Sequence, residues 1–425
     1  MSGNDYPRNP DPQHSDYRQN FYPQQPGYPQ QSGYGEPIFP PPGYQPSMTQ
    51  PPAFEPSLPT TPTSYASFWR TPRWRWWRPV VAVVVGVIAM FGLALVLSAG
   101  AIAFDIARGR LTTQDLANLG LDQLTASVFL ANNLSLAALI LVAFFISAVI
   151  FKQRPGFLAS VSGSLRWGWL GRCVLIVLPI WLIYLGFDWF LTAEAGGFDD
   201  LAVNQDTWLL VVGILITTPL QSAGEEYGFR GVVNRAVASF FRNEKAGLVA
   251  GLIASSGLFM WAHAAADPWL NLYYFCFGAA SCILVWRTGG LEASIVMHVV
   301  NNLLSEAFLP FSDISGLFDR SEGTAGPDML IGVAVIVVAT VLIIWQARRQ
   351  GIAITAAPAA SMSVPAAPMG YPPAAPSPYP MPDARWSTYP GAGQYPEPFS
   401  APPQTAHIEQ DPLFNPRPWE SGDRP

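Results

Sequence analysis

The sequence predicts an all-α, polytopic membrane protein of about eight transmembrane helices, flanked by disordered proline-rich tails. Half of the 425 residues are apolar and only 12% are charged, which is about half the charged share of a typical soluble domain. The chain also contains 42 prolines, too many for a uniformly folded chain. Because the prolines concentrate towards both ends, the apolar and the proline-rich material are segregated into a core and two tails.

The two tails are predicted to be disordered and cytoplasmic, over residues 1–69 and 351–425. They contain stretches such as NFYPQQPGYPQQSGYGEP and APMGYPPAAPSPYPMP. Neither stretch has an apolar period that could build a core. Their Tyr-Pro and Pro-Pro pairs are suited to a protein partner that recognises polyproline, although a plain flexible tail has the same composition.

The core, residues 70–350, contains apolar segments close to the ~20 residues needed to cross a ~30 Å hydrocarbon layer. The first and the last are uninterrupted, whereas polar residues interrupt the fourth and the seventh. The lipid bilayer is therefore the first partner that the sequence predicts. The eight segments run over residues 80–104, 128–151, 172–193, 207–222, 246–266, 269–286, 291–310 and 328–346.

Loop charges predict the orientation, because basic residues concentrate on the cytoplasmic side of membrane proteins. Alternate loops are basic or acidic, which places both termini in the cytoplasm, with Arg108 and Arg110 as exceptions. Residues 1–25 lack the apolar stretch of a signal peptide. The net charge of −6 does not indicate a nucleic-acid partner. The basic residues are Arg73, Arg75, Arg78, Lys152, Arg154, Arg166, Arg172, Arg235, Arg242, Lys245, Arg287, Arg348 and Arg349.

Ionisable residues within the apolar segments are the best candidates for function, since such groups are costly in lipid. In EEYGFR, Glu226 and Arg230 are four residues apart, which predicts an ion pair on one helix face. Glu225 is rotated by about 100° from Glu226 and lacks such a helical partner. Gly224 and Gly228 leave room for the close approach of a neighbouring helix.

Two further segments carry histidines. Segments four and five predict a hairpin that turns near RNEK, with Glu225 about 18 residues before the turn and His263 about 20 after it. The two side chains are therefore expected at the same depth. On segment seven, His298 and Asn302 share one face, and Glu306 lies one turn further. Asn301 points about 100° away and is interpreted as a packing or capping residue.

The three motifs together, EExxxR, FxxxH and HxxxN, resemble those of the CPBP family of intramembrane metalloproteases. This family comprises the type II CAAX prenyl endopeptidases and bacterial bacteriocin-processing and self-immunity proteins. The motifs are formed by Glu225, Glu226 and Arg230, by Phe259 and His263, and by His298 and Asn302. The resemblance is strong over about 205–310, extends loosely to the other helices and excludes the tails.

The resemblance implies an eight-helix bundle with a water-filled cavity. Glu225 would activate water with the help of His263, while His298 and Asn302 would bind the developing oxyanion. Glu226 and Arg230 would form a supporting pair, next to Phe259. We expect a bacterial plasma-membrane protein with a site that faces the cytoplasm.

A metal requirement is left open. Glu225, His263 and His298 could supply the three ligands of an open zinc site, and either Glu226 or Glu306 would then have to act as the base. The chain lacks the HExxH pattern that pairs two ligands with a base on one helix. A glutamate-dependent mechanism without metal is therefore slightly favoured.

Three functions follow from these residues. The first is an intramembrane endopeptidase that hydrolyses a membrane-associated protein or peptide. The alternative is a catalytically silent CPBP-fold scaffold or immunity protein that docks through its tails. A transporter or proton relay would also bury Glu and His residues, but no inverted repeat relates the two halves of the chain.

Overall fold

The chain folds into long helices in its computed structural model, which describes residues 56–112, 125–314 and 320–362. The predicted all-α class is confirmed. Each predicted apolar segment corresponds to a helix within the described ranges. These helices are α1 Trp77–Ala107, α2 Ala126–Ile150, α3 Trp167–Glu194, α4 Thr207–Ala238, α5 Glu244–Ala262, α6 Pro268–Thr288, α7 Glu292–Ser305 and α8 Met329–Arg349.

Seven of these helices are long and apolar enough to cross a membrane, so the protein is an integral membrane protein. The helix left out is α7, whose 14 residues extend over only about 21 Å at ~1.5 Å per residue. The predicted number of about eight spans thus becomes seven candidate spans and one shorter helix among the described residues. This shorter helix is the one that carries His298 and Asn302.

Helix α4 changes its winding next to the paired glutamates. Regular α-helix ends at Glu226, and Tyr227–Asn234 continue as π-helix before a last α-turn at Arg235–Ala238. Such π segments are rare and frequently mark functional sites. Arg230 lies in the π-helical part, and the helix extends well beyond the predicted segment 207–222.

Helix α4 approaches the backbone of α2 closely at Gly224. A Cβ atom added to Gly224 would overlap the carbonyl group of Leu136 and lie 3.0 Å from the Cα of Ala137. At Gly228 the nearest atom to an added Cβ is Leu139 Cδ1 at 3.5 Å, an ordinary contact. The close approach expected at these glycines is therefore present at Gly224, whereas Gly228 has space for a methyl group.

The residues before α1 belong to the folded core, which corrects the predicted boundaries of both tails. Tyr65, Phe68 and Trp69 are fully buried, and the Trp69 ring stacks on Phe151 with centroids 3.8 Å apart. Strand β1, Thr63–Ser64, pairs antiparallel with β2, Thr355–Ala356.

The folded part therefore begins before residue 69 and continues past residue 351. Residues 1–55 and 363–425 lie outside the described residues, so the disorder of these parts of the tails stays a prediction.

We expect Trp69→Ala to lower the free energy of unfolding by about 3–5 kcal/mol, since it empties a filled position in the core. The matched control is Trp76→Ala, because Trp76 is 66% exposed. Thermal unfolding of the purified protein in detergent measures the effect. Equal unfolding midpoints for the two variants would show that residues 56–69 do not contribute to the core.

Gly224→Ala should destabilise the protein by about 1–3 kcal/mol, because the added methyl group forces α4 away from the backbone of α2. Gly228→Ala is the control at the neighbouring turn and should be nearly neutral. The same unfolding measurement compares them. A neutral Gly224→Ala would contradict the close packing of these two helices.

Candidate active site

Glu226 is the anchor of the polar cluster inside the helices, and its side chain is completely buried. Its Oε1 lies 3.0 Å from the guanidinium Nη1 of Arg230, one turn further along the helix. The same oxygen lies 2.9 Å from Nδ1 of His298 on α7. The ion pair predicted from the i, i+4 spacing is therefore present, and the carboxylate also links α4 to α7.

Phe259 on α5 covers the buried ion pair. The Arg230 guanidinium lies 4.4 Å from the centre of the Phe259 ring, a cation–π contact that is stronger when water is excluded. The same ring contacts the His298 ring edge-on at 5.8 Å and the His263 ring at 4.5 Å. Phe259 therefore contacts Arg230, which neutralises Glu226, and it also contacts both candidate histidines.

The orientation of His298 follows from its contact with Glu226. Arg230 neutralises the Glu226 carboxylate, and an ionised carboxylate can only accept hydrogen bonds. The Nδ1 atom of His298 therefore carries the proton and donates it to Oε1 of Glu226. A neutral His298 then presents a lone pair at Nε2, a tautomer assigned from the hydrogen-bond network. This Nε2 lies 3.9 Å from Oε2 of Glu225.

Glu225 faces His298 with one oxygen of its carboxylate. Its side chain is nearly buried, and Oε1 accepts a hydrogen bond from Nε2 of Gln221, one turn earlier in α4. Its Oε2 accepts no hydrogen bond from any residue that the structure describes. A buried carboxylate oxygen without a protein donor can receive a proton from water or substrate.

Asn302 faces Glu225 through two residues of α4. Its Nδ2 lies 3.2 Å from Oε1 of Gln221 and 3.3 Å from Oγ of Ser222. Gln221 therefore bridges Asn302 and Glu225. The sequence reasoning did not assign a role to Gln221, although the i, i+4 rule that pairs Glu226 with Arg230 also pairs Gln221 with Glu225.

Asn301 is a second residue whose part in the site was not predicted. Its Nδ2 donates to Oδ1 of Asn302 at 3.0 Å. Its Oδ1 accepts hydrogen bonds from Nε1 of Trp181 on α3 and from the hydroxyl of Tyr273 on α6. These contacts fix the orientation of both amides, so Asn301 is a positioning residue as well as a packing residue.

His263 is level with the glutamates but does not bind them. Phe259 packs against Arg230 and Phe229 of the antiparallel helix α4, so His263, one turn further, lies at the depth of Glu226. Its Nδ1 is 2.8 Å from the carbonyl oxygen of Phe259, and its ring stacks on Tyr274 at 3.9 Å. Among the described contacts of His263 there is no hydrogen bond to Glu225.

The candidate metal ligands do not converge. Within 56–112, 125–314 and 320–362, no group of three His, Cys, Asp or Glu side chains is placed to hold a metal ion. Glu225 and His298 approach each other, but His263 directs Nδ1 to a backbone carbonyl. This arrangement does not fit the three-ligand zinc site considered from the sequence.

Glu306 lies one turn beyond Asn302 and takes part in a separate polar contact. Its Oε2 accepts a hydrogen bond from Oγ1 of Thr218 at 2.7 Å. The same hydroxyl accepts one from Nδ2 of Asn133 on α2 at 3.2 Å. These contacts do not include Glu225 or His298, so the geometry does not support Glu306 as the base of this cluster.

Comparison with known proteins identifies the part of the chain that carries this cluster. Residues 205–304 match the family model described as "Type II CAAX prenyl endopeptidase Rce1-like". This segment is therefore similar to Rce1-like CAAX endopeptidases. The family indicates a CAAX-type intramembrane protease, a hydrolase, and the matched range contains Glu225, His263, His298 and Asn302.

A weaker similarity to a bacterial protein extends beyond the CAAX endopeptidase segment. The chain is 25% identical over 187 residues to the uncharacterised protein YyaK of Bacillus subtilis. The alignment covers 41% of this chain and 60% of the relative. The chain therefore matches less than two thirds of that protein's length. No solved structure matches the chain.

Arg230→Met should destabilise the CAAX endopeptidase segment by about 3–5 kcal/mol, because it leaves the Glu226 carboxylate buried without a cation. Adding Glu226→Gln should recover part of this loss, since it removes the unpaired charge. Thermal unfolding of the single and double variants measures the coupling.

The control for this cycle is Arg110→Met, which breaks the partly exposed pair of Arg110 and Asp206. It should change the free energy of unfolding by about 0–1 kcal/mol. An Arg230→Met variant that is no less stable than Arg110→Met would contradict the buried ion pair.

Proposed function

We propose that the protein is an intramembrane endopeptidase that hydrolyses a peptide bond of a membrane-associated protein or peptide. The observation that carries this proposal is the free Oε2 of Glu225, which faces Nε2 of His298 at 3.9 Å. Both side chains are at least nine-tenths buried. An acid–base pair in such a site can activate water without competition from bulk solvent. The match of residues 205–304 to an endopeptidase family supports the same reaction.

Glu225 is proposed as the general base. Its Oε2 takes a proton from the attacking water, whose oxygen forms a bond to the carbonyl carbon of the substrate. The carbonyl oxygen becomes an oxyanion. Glu225 then returns the proton to the amide nitrogen as the carbon–nitrogen bond breaks and the carbonyl double bond re-forms. The products are a carboxylic acid and an amine, and transfer of the acid's proton to the amine gives a new carboxylate and a new protonated amino terminus.

His298 and Asn302 are proposed to stabilise the oxyanion. Neutral His298 has no proton at Nε2, so in this role its ring must already carry a proton on both nitrogens when the water attacks. Asn302 has an amide donor on the same face of α7, although in this structure it binds Gln221 and Ser222. Exchange of one of these bonds for the substrate oxyanion provides the second donor.

The remaining motif residues are proposed to position the catalytic ones. Glu226 and Arg230 hold the His298 ring through the 2.9 Å and 3.0 Å contacts described above. Phe259 keeps water from the guanidinium. His263 also contacts this ring, and because it makes no described hydrogen bond to Glu225 it is proposed to support the placement of the substrate.

The protein is further proposed to lie in a bacterial plasma membrane with both termini in the cytoplasm. The basic loops support this orientation, because they lie at one end of the helix bundle. The similarity to a protein of Bacillus subtilis supports the bacterial source. The lipid bilayer and the substrate are the proposed partners, and the tails are proposed to bind a protein that recognises proline-rich segments.

Glu225→Gln should reduce hydrolysis by about 100-fold to 10,000-fold while the protein remains folded, because it removes the base and keeps the side-chain shape. The measurement compares the termini of membrane proteins from cells that express the wild-type chain or the variant at equal abundance. Glu322→Gln, at an exposed loop position, is the matched control and should behave as wild type.

Termini that appear with wild type and Glu322→Gln but not with Glu225→Gln would name the substrate. Identical sets of termini in all three samples would contradict the endopeptidase proposal. The outcome would then match the catalytically silent scaffold or immunity protein.

A further inference from the structure

The exposure of the site changes in one direction along the helices. We define the polar seam as Arg230, Glu226 and Glu225 of α4, Asn302 of α7, and Glu306, which directly follows α7. Arg230 and Glu226 are fully buried and Glu225 is 6% exposed. Asn302 and Glu306 are only partly buried. The polar seam is thus closed at Arg230 and more open at Glu306.

A packed aromatic layer closes the Arg230 end. Tyr65 packs beside Gly231, because a Cβ atom built onto this glycine would lie 3.8 Å from the Tyr65 hydroxyl, an ordinary van der Waals contact. That hydroxyl donates to the carbonyl oxygen of Leu158. One turn further, the buried guanidinium of Arg235 lies 3.6 Å from the centre of the Tyr65 ring and donates to the carbonyl of Phe157. Tyr65 and Arg235 are both fully buried, so this layer leaves no route for a peptide chain.

The Glu306 end lies at the opposite side of the helix bundle. Glu306 follows the last residue of α7, and the next turn, Leu309–Phe311, contacts the start of α4 through a hydrogen bond from Thr207 to the Pro310 carbonyl. Helix α5 also ends at this side, at Ala262, and the carbonyl oxygen of the next residue, His263, accepts a hydrogen bond from Arg320. The Glu306 end of the polar seam therefore lies on the side of the bundle that carries the loops from α3 to α4, from α5 to α6 and from α7 to α8.

The charges of the loops differ between these two sides. The closed side carries Lys152, Arg154, Arg166, Arg242 and Lys245, as expected of a cytoplasmic surface. The open side carries mostly acidic residues, with Arg110 paired to one of them. Its acidic residues are Asp199, Asp200, Asp206, Asp267, Asp313, Glu322 and Asp328.

We propose that the substrate enters the polar seam at Glu306, from the membrane face opposite the basic loops. With the termini in the cytoplasm, the substrate is then a peptide or a membrane-protein segment exposed outside the cytoplasm. This inference rests on the proposed peptidase function and replaces the expectation of a site that faces the cytoplasm.

The test is thiol labelling of the full-length protein in intact cells and in inside-out membrane vesicles, with a membrane-impermeant maleimide. Glu306→Cys reports on the polar seam. Two exposed positions are references for the two faces: Ser162→Cys in the basic loop after α2 and Glu322→Cys in the acidic loop before α8. All variants carry Cys276→Ser, because Cys173 and Cys282 are buried whereas Cys276 is partly accessible.

In intact cells, Glu306→Cys and Glu322→Cys should be labelled at least tenfold more than Ser162→Cys, and inside-out vesicles should reverse the order of the two reference positions. Labelling of Glu306→Cys from the cytoplasmic side alone, or from neither side, would overturn the proposal. Labelling of Ser162→Cys in intact cells would overturn it as well, since the basic loops would then lie outside.

Labelling requires no catalysis, so its outcome is independent of the peptidase proposal. A Glu306 position that labels from outside, in a protein that cuts nothing, would overturn the proposed function and leave the entry route in place. A protein that changes membrane-protein termini but labels from the cytoplasm would keep the function and overturn the route.

Discussion

The burial of the Glu226 carboxylate is the constraint on which the arrangement of the candidate site depends. A charge inside the helix bundle costs several kcal/mol unless it is paired and hydrogen-bonded. Arg230 from the same helix and His298 from α7 both approach one oxygen of Glu226. Phe259 of α5 then covers the guanidinium. The helical hairpin of α4 and α5 therefore meets α7 at a single neutralised carboxylate.

The parts of this arrangement that depend on local geometry could be predicted from the sequence. The i, i+4 spacing predicts the pair of Glu226 and Arg230, and the 100° rotation predicts that Glu225 points elsewhere. The length of the hairpin arms predicts that His263 lies at the level of the glutamates. Each of these inferences requires only the regular repeat of a helix, which short windows of sequence specify.

The parts that depend on tertiary partners could not be predicted. Tyr65, Phe68 and Trp69 follow a proline-rich stretch and have no apolar period, and their burial depends on residues about 90 positions later, such as Phe151 and Leu158. Gln221 and Asn301 are amides, which are common on helix surfaces. Their place in the site depends on other helices, because Gln221 binds Asn302 of α7 and Asn301 binds Trp181 of α3 and Tyr273 of α6. Composition does not contain this information.

The buried ion pair and the direction of access have a common physical origin. The pair of Glu226 and Arg230 orients His298 strongly only while water is excluded, because solvent weakens both the ionic and the cation–π contact. The Tyr65 layer supplies this exclusion at one end of the polar seam. Hydrolysis, however, consumes water, so water must reach the catalytic residues from another direction. The partly exposed residues beyond Glu225, Asn302 and Glu306, provide that direction, whereas both glutamate side chains are themselves buried.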